Sequence, residues 1–186
     1  MLFKNLSKTK SAYLVFGLLF FVSCGKTQKE NSPQEKVKKT KVTVSKKEKT
    51  TKKKSAVVVD SEGVANVTIS SNDGMRFDVR KINVSAGQKV RLTLNHTGKL
   101  DKKIMGHNVV ILKNGVKSSA FAVKAASSKD NDYIPEGTSD VIAHTKMIGG
   151  GESAMIEFTA PEKGTYNYIC SFPGHFAMMK GKLIVE

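Results

Sequence analysis

Between Val64 and Glu186 the chain repeats one signal eight times: a run of six to nine residues that alternates or stays apolar, closed by turn-forming residues. The runs are "VANVTIS" (64–70), "RFDVRKINV" (76–84), "KVRLTLN" (89–95), "HNVVIL" (107–112), "SDVIAH" (139–144), "SAMIEFTA" (153–160), "TYNYIC" (165–170) and "GKLIVE" (181–186). A period of two sends successive side chains to opposite faces, so each run buries one face and must pair with others. "HNVVIL" hardly alternates, which fits a strand covered on both sides. Eight short strands separated by Gly, Pro, Asn and Asp predict an all-β sandwich or barrel. One segment breaks the pattern. "VKSSAFAVKAASS" (116–128) is Ala-rich and predicts a short inserted helix, with Val116, Ala120, Val123 and Phe121 toward one side.

The chain before this domain has a different character. Lys4, Lys8 and Lys10 precede an apolar run of eleven residues, Ala12–Val22, which suits a secretory signal and is too short to span a bilayer. It ends in "FVSC" followed by Gly25, which resembles a bacterial lipoprotein signal, with residues 1–23 removed and Cys24 acylated. An ordinary cleaved signal and an uncleaved anchor are the other readings. From Gly25 to Asp60 there are twelve lysines against four carboxylates and no aromatic residue. Such a stretch buries too little apolar surface to offset its ordering entropy, so residues 24–60 read as a disordered tether that begins at the lipidated Cys. The formal net charge of +15 is therefore concentrated outside the domain, where residues 61–186 hold sixteen basic against twelve acidic side chains. Basic residues on a fold, with stacking aromatics, would indicate nucleic acid; here no nucleic-acid partner is expected.

With Cys24 acylated, Cys170 is the remaining thiol and an intrachain disulfide is impossible. It stands in "CSFPGHFAMMKG" (170–181), five residues before His175 and nine before Met179. His107 opens a strand far away in sequence, and a sandwich gathers its loops at two poles, where the four side chains can meet. A lone Cys is often only a small buried hydrophobe. A Cys–His pair can also act as a nucleophile, though no orienting partner or oxyanion motif accompanies it. Two imidazoles, a thiolate and a thioether suit a third chemistry, that of a trigonal copper site with a long axial Met. Zinc is the rival metal, but Met ligates it poorly.

"SNDGMRF" (71–77), "LNHTGKLDKKIMGHN" (94–108), "VIAHTKMIGGGE" (141–152) and "CSFPGHFAMMKG" together resemble the azurins, a family of small blue-copper proteins. The likeness runs from about Asn66 to Glu186. It implies a Greek-key cupredoxin sandwich of about eight strands with a helical flap and one type 1 copper. His107, Cys170 and His175 match the equatorial ligands, Met179 matches an axial ligand, and Gly106 matches the residue whose carbonyl approaches from the opposite side. Asn108 matches the residue that bridges the ligand segments and bonds toward the Cys sulfur. Phe172 and Pro173 are expected to shield the metal. Leu100, Ile104, Met105, Ala177 and Met178, with those two, fall on an apolar surface through which electrons would pass. Phe176 is bulky where the family commonly has a small residue, so that surface is expected to be reshaped. His96 and His144 match family positions and are left outside the site.

Two features depart from the family. Ala65 and Gly87 stand where azurins carry a disulfide, and Val109 occupies a core place where many have Trp. The expected function is non-enzymatic: an exported, periplasm-facing lipoprotein that carries single electrons between redox proteins such as c-type cytochromes and a terminal reductase or peroxidase. The alternative is a module that delivers copper to another enzyme. Redox cycling without loss of metal separates the two.

Overall fold

The computed structural model describes residues 56–186; the signal segment, Cys24 and nearly all of the Lys-rich segment lie outside the described residues. The elements run β1 (Val57–Val59), β2 (Ala65–Asn72), β3 (Arg76–Phe77), β4 (Lys81–Val84), β5 (Lys89–His96), α1 (Lys102–Met105), β6 (Val110–Leu112), α2 (Ser118–Ala125), β7 (Val141–His144), β8 (Ser153–Thr159), β9 (Gly164–Ile169) and β10 (Lys180–Val185). One sheet has the order β1-β2-β5-β8 with β3 beside β2, and the other has β4-β10-β9-β6-β7. β2 lies parallel to β5, and β4 parallel to β10. Neither pair can be a hairpin, so the chain crosses between sheets, as Greek-key connections require.

Alternation builds the core. Ala65, Val67 and Ile69 of β2 point inward, as do Val90, Leu92 and Leu94 of β5. They meet Ile82, Val84, Tyr166, Tyr168, Leu183 and Val185 from the other sheet. Removing a side chain such as Leu92 would cost about 2–5 kcal/mol. Val109 also joins this core, and Ala65 is fully buried in it. Gly87 sits at a φ of 74°, in a turn whose N–H bonds the Ala160 carbonyl.

β6 is buried on both faces, as expected for its unbroken apolar run. Ile111 faces the main core, while Val110 and Leu112 face a second cluster with Phe121, Ala122 and Ala125 of α2. The inner face of that helix differs from the expectation. Val123 is 73% exposed and Ala120 is exposed too. The helix begins at Ser118 rather than Val116, and the side that meets Val110 and Leu112 carries 121, 122 and 125. Val116 precedes it and packs only partly against the cluster.

Two strand assignments also change. "RFDVRKINV" divides: β3 pairs with β2, and β4 joins the opposite sheet. The crossing is fixed by Asp78, whose carboxylate accepts the Ser70 N–H at 2.7 Å, and by the Tyr168 hydroxyl, which donates to the Val79 carbonyl at 2.6 Å. The run 107–112 begins as a strand only at Val110; His107 instead makes an isolated bridge with Ile148. At the other end, Val57–Val59 pairs with β2 inside the stretch assigned to the tether. The described residues thus form ten strands where about eight were expected.

Candidate metal centre

The 170–179 loop closes on itself. The Cys170 N–H donates to the Met179 carbonyl at 3.0 Å, pinning its ends. Inside, the His175 N–H bonds the Phe172 carbonyl, and the Met178 and Met179 N–H groups bond the His175 carbonyl. Gly174, at a φ of 82°, opens the 3-10 turn His175–Ala177; a side chain there would be strained. The result turns Cys170, His175 and Met179 inward, at 0%, 4% and 0% exposure.

His107 comes from the other sheet-end segment. Two backbone hydrogen bonds with Ile148, both 2.9 Å, hold it. The His96 ring stacks flat on it, with centroids 4.2 Å apart and planes 5° from parallel. His96 is itself fixed: its Nδ1 accepts the Gly98 N–H, and Nε2 lies 3.0 Å from the Met105 carbonyl. That pattern requires the neutral tautomer with hydrogen on Nε2.

The two segments converge. The Cys170 Sγ lies 3.8 Å from His175 Nδ1 and 3.8 Å from the Gly106 carbonyl oxygen. The His107 and His175 rings meet edge to face at 5.2 Å. Gly106 has an ordinary extended backbone, so its need for glycine is one of space. A Cβ there would stand 2.5 Å from the Lys102 carbonyl and 2.9 Å from both Met147 Sδ and the Phe172 ring.

Asn108 clips the segments together. Its Oδ1 accepts the Ser171 N–H at 2.9 Å, and its Nδ2 donates to Ser171 Oγ at 2.8 Å and to the Asp132 carbonyl at 3.0 Å. The bond toward the sulfur comes from its backbone rather than its carboxamide, because the N–H groups of Asn108 and Phe172 point at Cys170. Phe172 is half-buried, with its ring 4.6 Å from that of His175 and 5.3 Å from that of Tyr133. Pro173 is exposed.

Electrostatics leave the pocket uncharged. Burial pushes the Cys170 thiol up to about 12 against the two N–H donors, so at neutral pH it keeps its proton. Burial, with His96 and His175 nearby, holds His107 down to about 3, and burial lowers His175 as well. Both imidazoles are neutral and both lone pairs are available. The decisive detail is that neither ring nitrogen of buried His107 has a hydrogen-bond partner. Leaving such a group unpaired costs about 1–3 kcal/mol, so the site fits a cation that accepts its lone pair. With a thiolate, two imidazoles and a thioether, that cation is a soft one, and copper fits.

Leu100, Ile104 and Met178 are 40%, 63% and 44% exposed, Ala177 is exposed, and Met105 is half-buried. Phe176 is half-buried and packs against the α2 cluster. His144 is exposed, and its Nδ1 lies 3.2 Å from the Thr145 carbonyl. Sequence reasoning left out His96, which supports His107 by stacking, and missed Ser171, Met147 and Tyr133. His96, Ser171 and Met147 carried a signal, their places in the matching motifs; Tyr133 is recognised by its contacts alone.

Comparison with known proteins agrees with this chemistry. Residues 63–186 match the copper-binding proteins of the plastocyanin/azurin family. Azurin-1 of Alcaligenes xylosoxydans xylosoxydans is 45% identical over 122 residues, covering 63% of this chain and 95% of its own. Outer membrane protein H.8 of Neisseria meningitidis serogroup B is 42% identical over 125 residues, covering 65% of this chain and 67% of its own. Auracyanin A, a "blue" copper protein from Chloroflexus aurantiacus, superposes with a TM-score of 0.62 at 32% identity, covering 67% of this chain and all of its own. The fold is thus the cupredoxin sandwich, copper is the cofactor, and the chain belongs to the plastocyanin/azurin family of blue copper electron-transfer proteins.

Proposed function

We propose that the protein is an exported, membrane-tethered carrier of single electrons. In this reading His107, Cys170 and His175, with Met179 and the Gly106 carbonyl, would hold copper. Bound there, copper supplies the Cu(I)/Cu(II) couple. The unpartnered, buried imidazole of His107 beside Cys170 and His175 carries the assignment.

The chain's own groups prepare the pocket. The Asn108 and Phe172 N–H groups, aimed at the Cys170 sulfur, would stabilise its thiolate as a ligand. The Asn108 carboxamide, the Ile148 bridge and the His96 stack hold the two ligand segments at fixed separation. A site that does not rearrange keeps the cost of electron exchange low. Phe172 covers His175 and excludes water.

A Cys–His nucleophile is disfavoured, because a thiol at about 12 offers little thiolate. Copper delivery is disfavoured by burial, since handing metal over needs exposed, exchangeable ligands. Acylation of Cys24 would hold the carrier at a bacterial membrane facing the periplasm. A related protein named for the outer membrane supports that placement. Suitable partners are c-type cytochromes and a terminal reductase or peroxidase. Repeated electrochemical cycling of the copper protein tests the reading: a reversible one-electron wave with no metal in the dialysate is expected. Release of copper on reduction would favour delivery instead.

A further inference from the structure

His175 stands on a 3-10 turn of three residues, His175–Ala177. A turn that short has poor hydrogen-bond geometry and no helical cooperativity, so its side chains need support from outside. Two supports are visible. The Phe172 ring leans on the imidazole at 4.6 Å, and the Tyr133 ring meets Phe172 at 5.3 Å. The other support is the next residue in the turn. Cys170 and Met179 join the main core, whereas Phe176 enters the second cluster, with Val110, Leu112, Phe121 and Ile169. With three residues per turn, neighbouring side chains stand about 120° apart, so a seated Phe176 fixes the direction of His175.

The seat is α2. This helix meets the turn directly, and Phe121, Ala122 and Ala125 form its underside. The same cluster holds Ile169, which precedes Cys170, and Val110, which follows the His107–Asn108 segment by one residue. Backbone strain leads to it as well. Asp132 and Tyr133 are both left-handed, at φ 52° and 56°. Bulky side chains rarely adopt that conformation, and it persists only where the surroundings over-determine it. Here Asn108 Nδ2 donates to the Asp132 carbonyl at 3.0 Å, and the Tyr133 N–H donates to the Ser128 carbonyl at 2.9 Å. So held, Tyr133 packs against the α2 cluster and meets Phe172. Both supports of His175 therefore rest on one small apolar base.

We propose that Phe176 is a positioning residue: it seats the His175 turn on α2, so that the imidazole is aimed into the pocket before metal binds and stays there when an electron moves. Phe176 is bulky where the azurins commonly have a small residue, so the seat belongs to this chain. The proposal deepens the electron-carrier reading, since a ligand that does not swing keeps the site from rearranging.

The test uses the full chain, metal-free and then copper-loaded, as parent, Phe176→Ala and Phe176→Leu. In the metal-free protein, amide hydrogen exchange is followed at Met178 and Met179, whose N–H groups bond the His175 carbonyl, and at the residues of β5, paired on both sides. Phe176→Ala should speed the two turn amides by about tenfold, the factor that partial burial of a Phe ring carries, and leave β5 unchanged. Phe176→Leu keeps an apolar side chain in the seat and should restore parent protection. In the loaded protein, transfer of Cu(I) to bathocuproine disulfonate should also run about tenfold faster from Phe176→Ala and at the parent rate from Phe176→Leu. Parent-like protection at Met178 and Met179 in Phe176→Ala, or parent-like copper transfer, would overturn the proposal. Equal acceleration of the turn and β5, or a Phe176→Ala chain that does not fold, would make Phe176 an ordinary packing residue and overturn it too. None of these outcomes touches the carrier reading, which electrochemical cycling decides.

Discussion

The two segments that meet at the metal centre are built by opposite means. The 170–179 loop is nearly self-sufficient: its ends bond each other, its turn is opened by Gly174, and three candidate ligands lie within ten residues. The Gly106–Asn108 segment has little local support. It is held by Ile148 across the sheet end, by the His96 ring, by Ser171 and Asp132 through Asn108, and by an absent side chain at Gly106. Local hydrogen bonds fix one side of the site and long-range packing fixes the other, so substitutions should injure the second side more.

Gly106→Ala should give the largest loss. Backbone and ring atoms at 2.5–2.9 Å cannot yield cheaply, so destabilisation of about 3 kcal/mol is expected in urea unfolding of the metal-free protein. Asn108→Ala deletes a clip without adding bulk and strands the buried Ser171 N–H, which should cost about 2 kcal/mol in the same assay. If Asn108→Ala were silent, the lone segment would not depend on long-range bonds as described.

Acid should also strike the lone segment. In the metal-free protein the folded value of His107, about 3, lies below the ordinary 6.5 of an unfolded chain. The unfolded state therefore binds the proton first as pH falls. The stability held by neutral His107 is complete above about pH 6.5 and drains away toward pH 3. Urea midpoints measured from pH 7 to 4 should fall, and His107→Asn should flatten the decline.

The same contrast explains what could be read from the sequence. Strands β2 and β5 were legible because their inward positions alternate without a break. The ligand loop was legible because its Cys, His and Met lie close together. By contrast, "RFDVRKINV" alternates smoothly across a change of sheet, and only the Asp78 and Tyr168 bonds reveal the crossing. β1 was hidden because three valines at the end of a Lys-rich stretch announce no partner. The inner face of α2 is set by its packing on Val110 and Leu112, which an Ala-rich segment does not encode. The stacking of His96 on His107 is a tertiary fact that spacing does not encode.

Met179→Leu should have the smallest effect on structure, since the volumes are similar and the loop's bonds are main-chain. Fold and colour should persist while the reduction potential rises, because a weak thioether donor stabilises Cu(II) more than Cu(I). A lower potential on voltammetry would remove Met179 from the ligand set.

The visible spectrum of the copper-loaded protein tests the central claim most directly. If Cys170 binds copper in the plane of His107 and His175, Cu(II) loading should produce an intense thiolate-to-copper charge-transfer band, and Cys170→Ser should abolish it. A colourless Cu(II) complex of the intact chain, or a band that survives Cys170→Ser, would contradict the account.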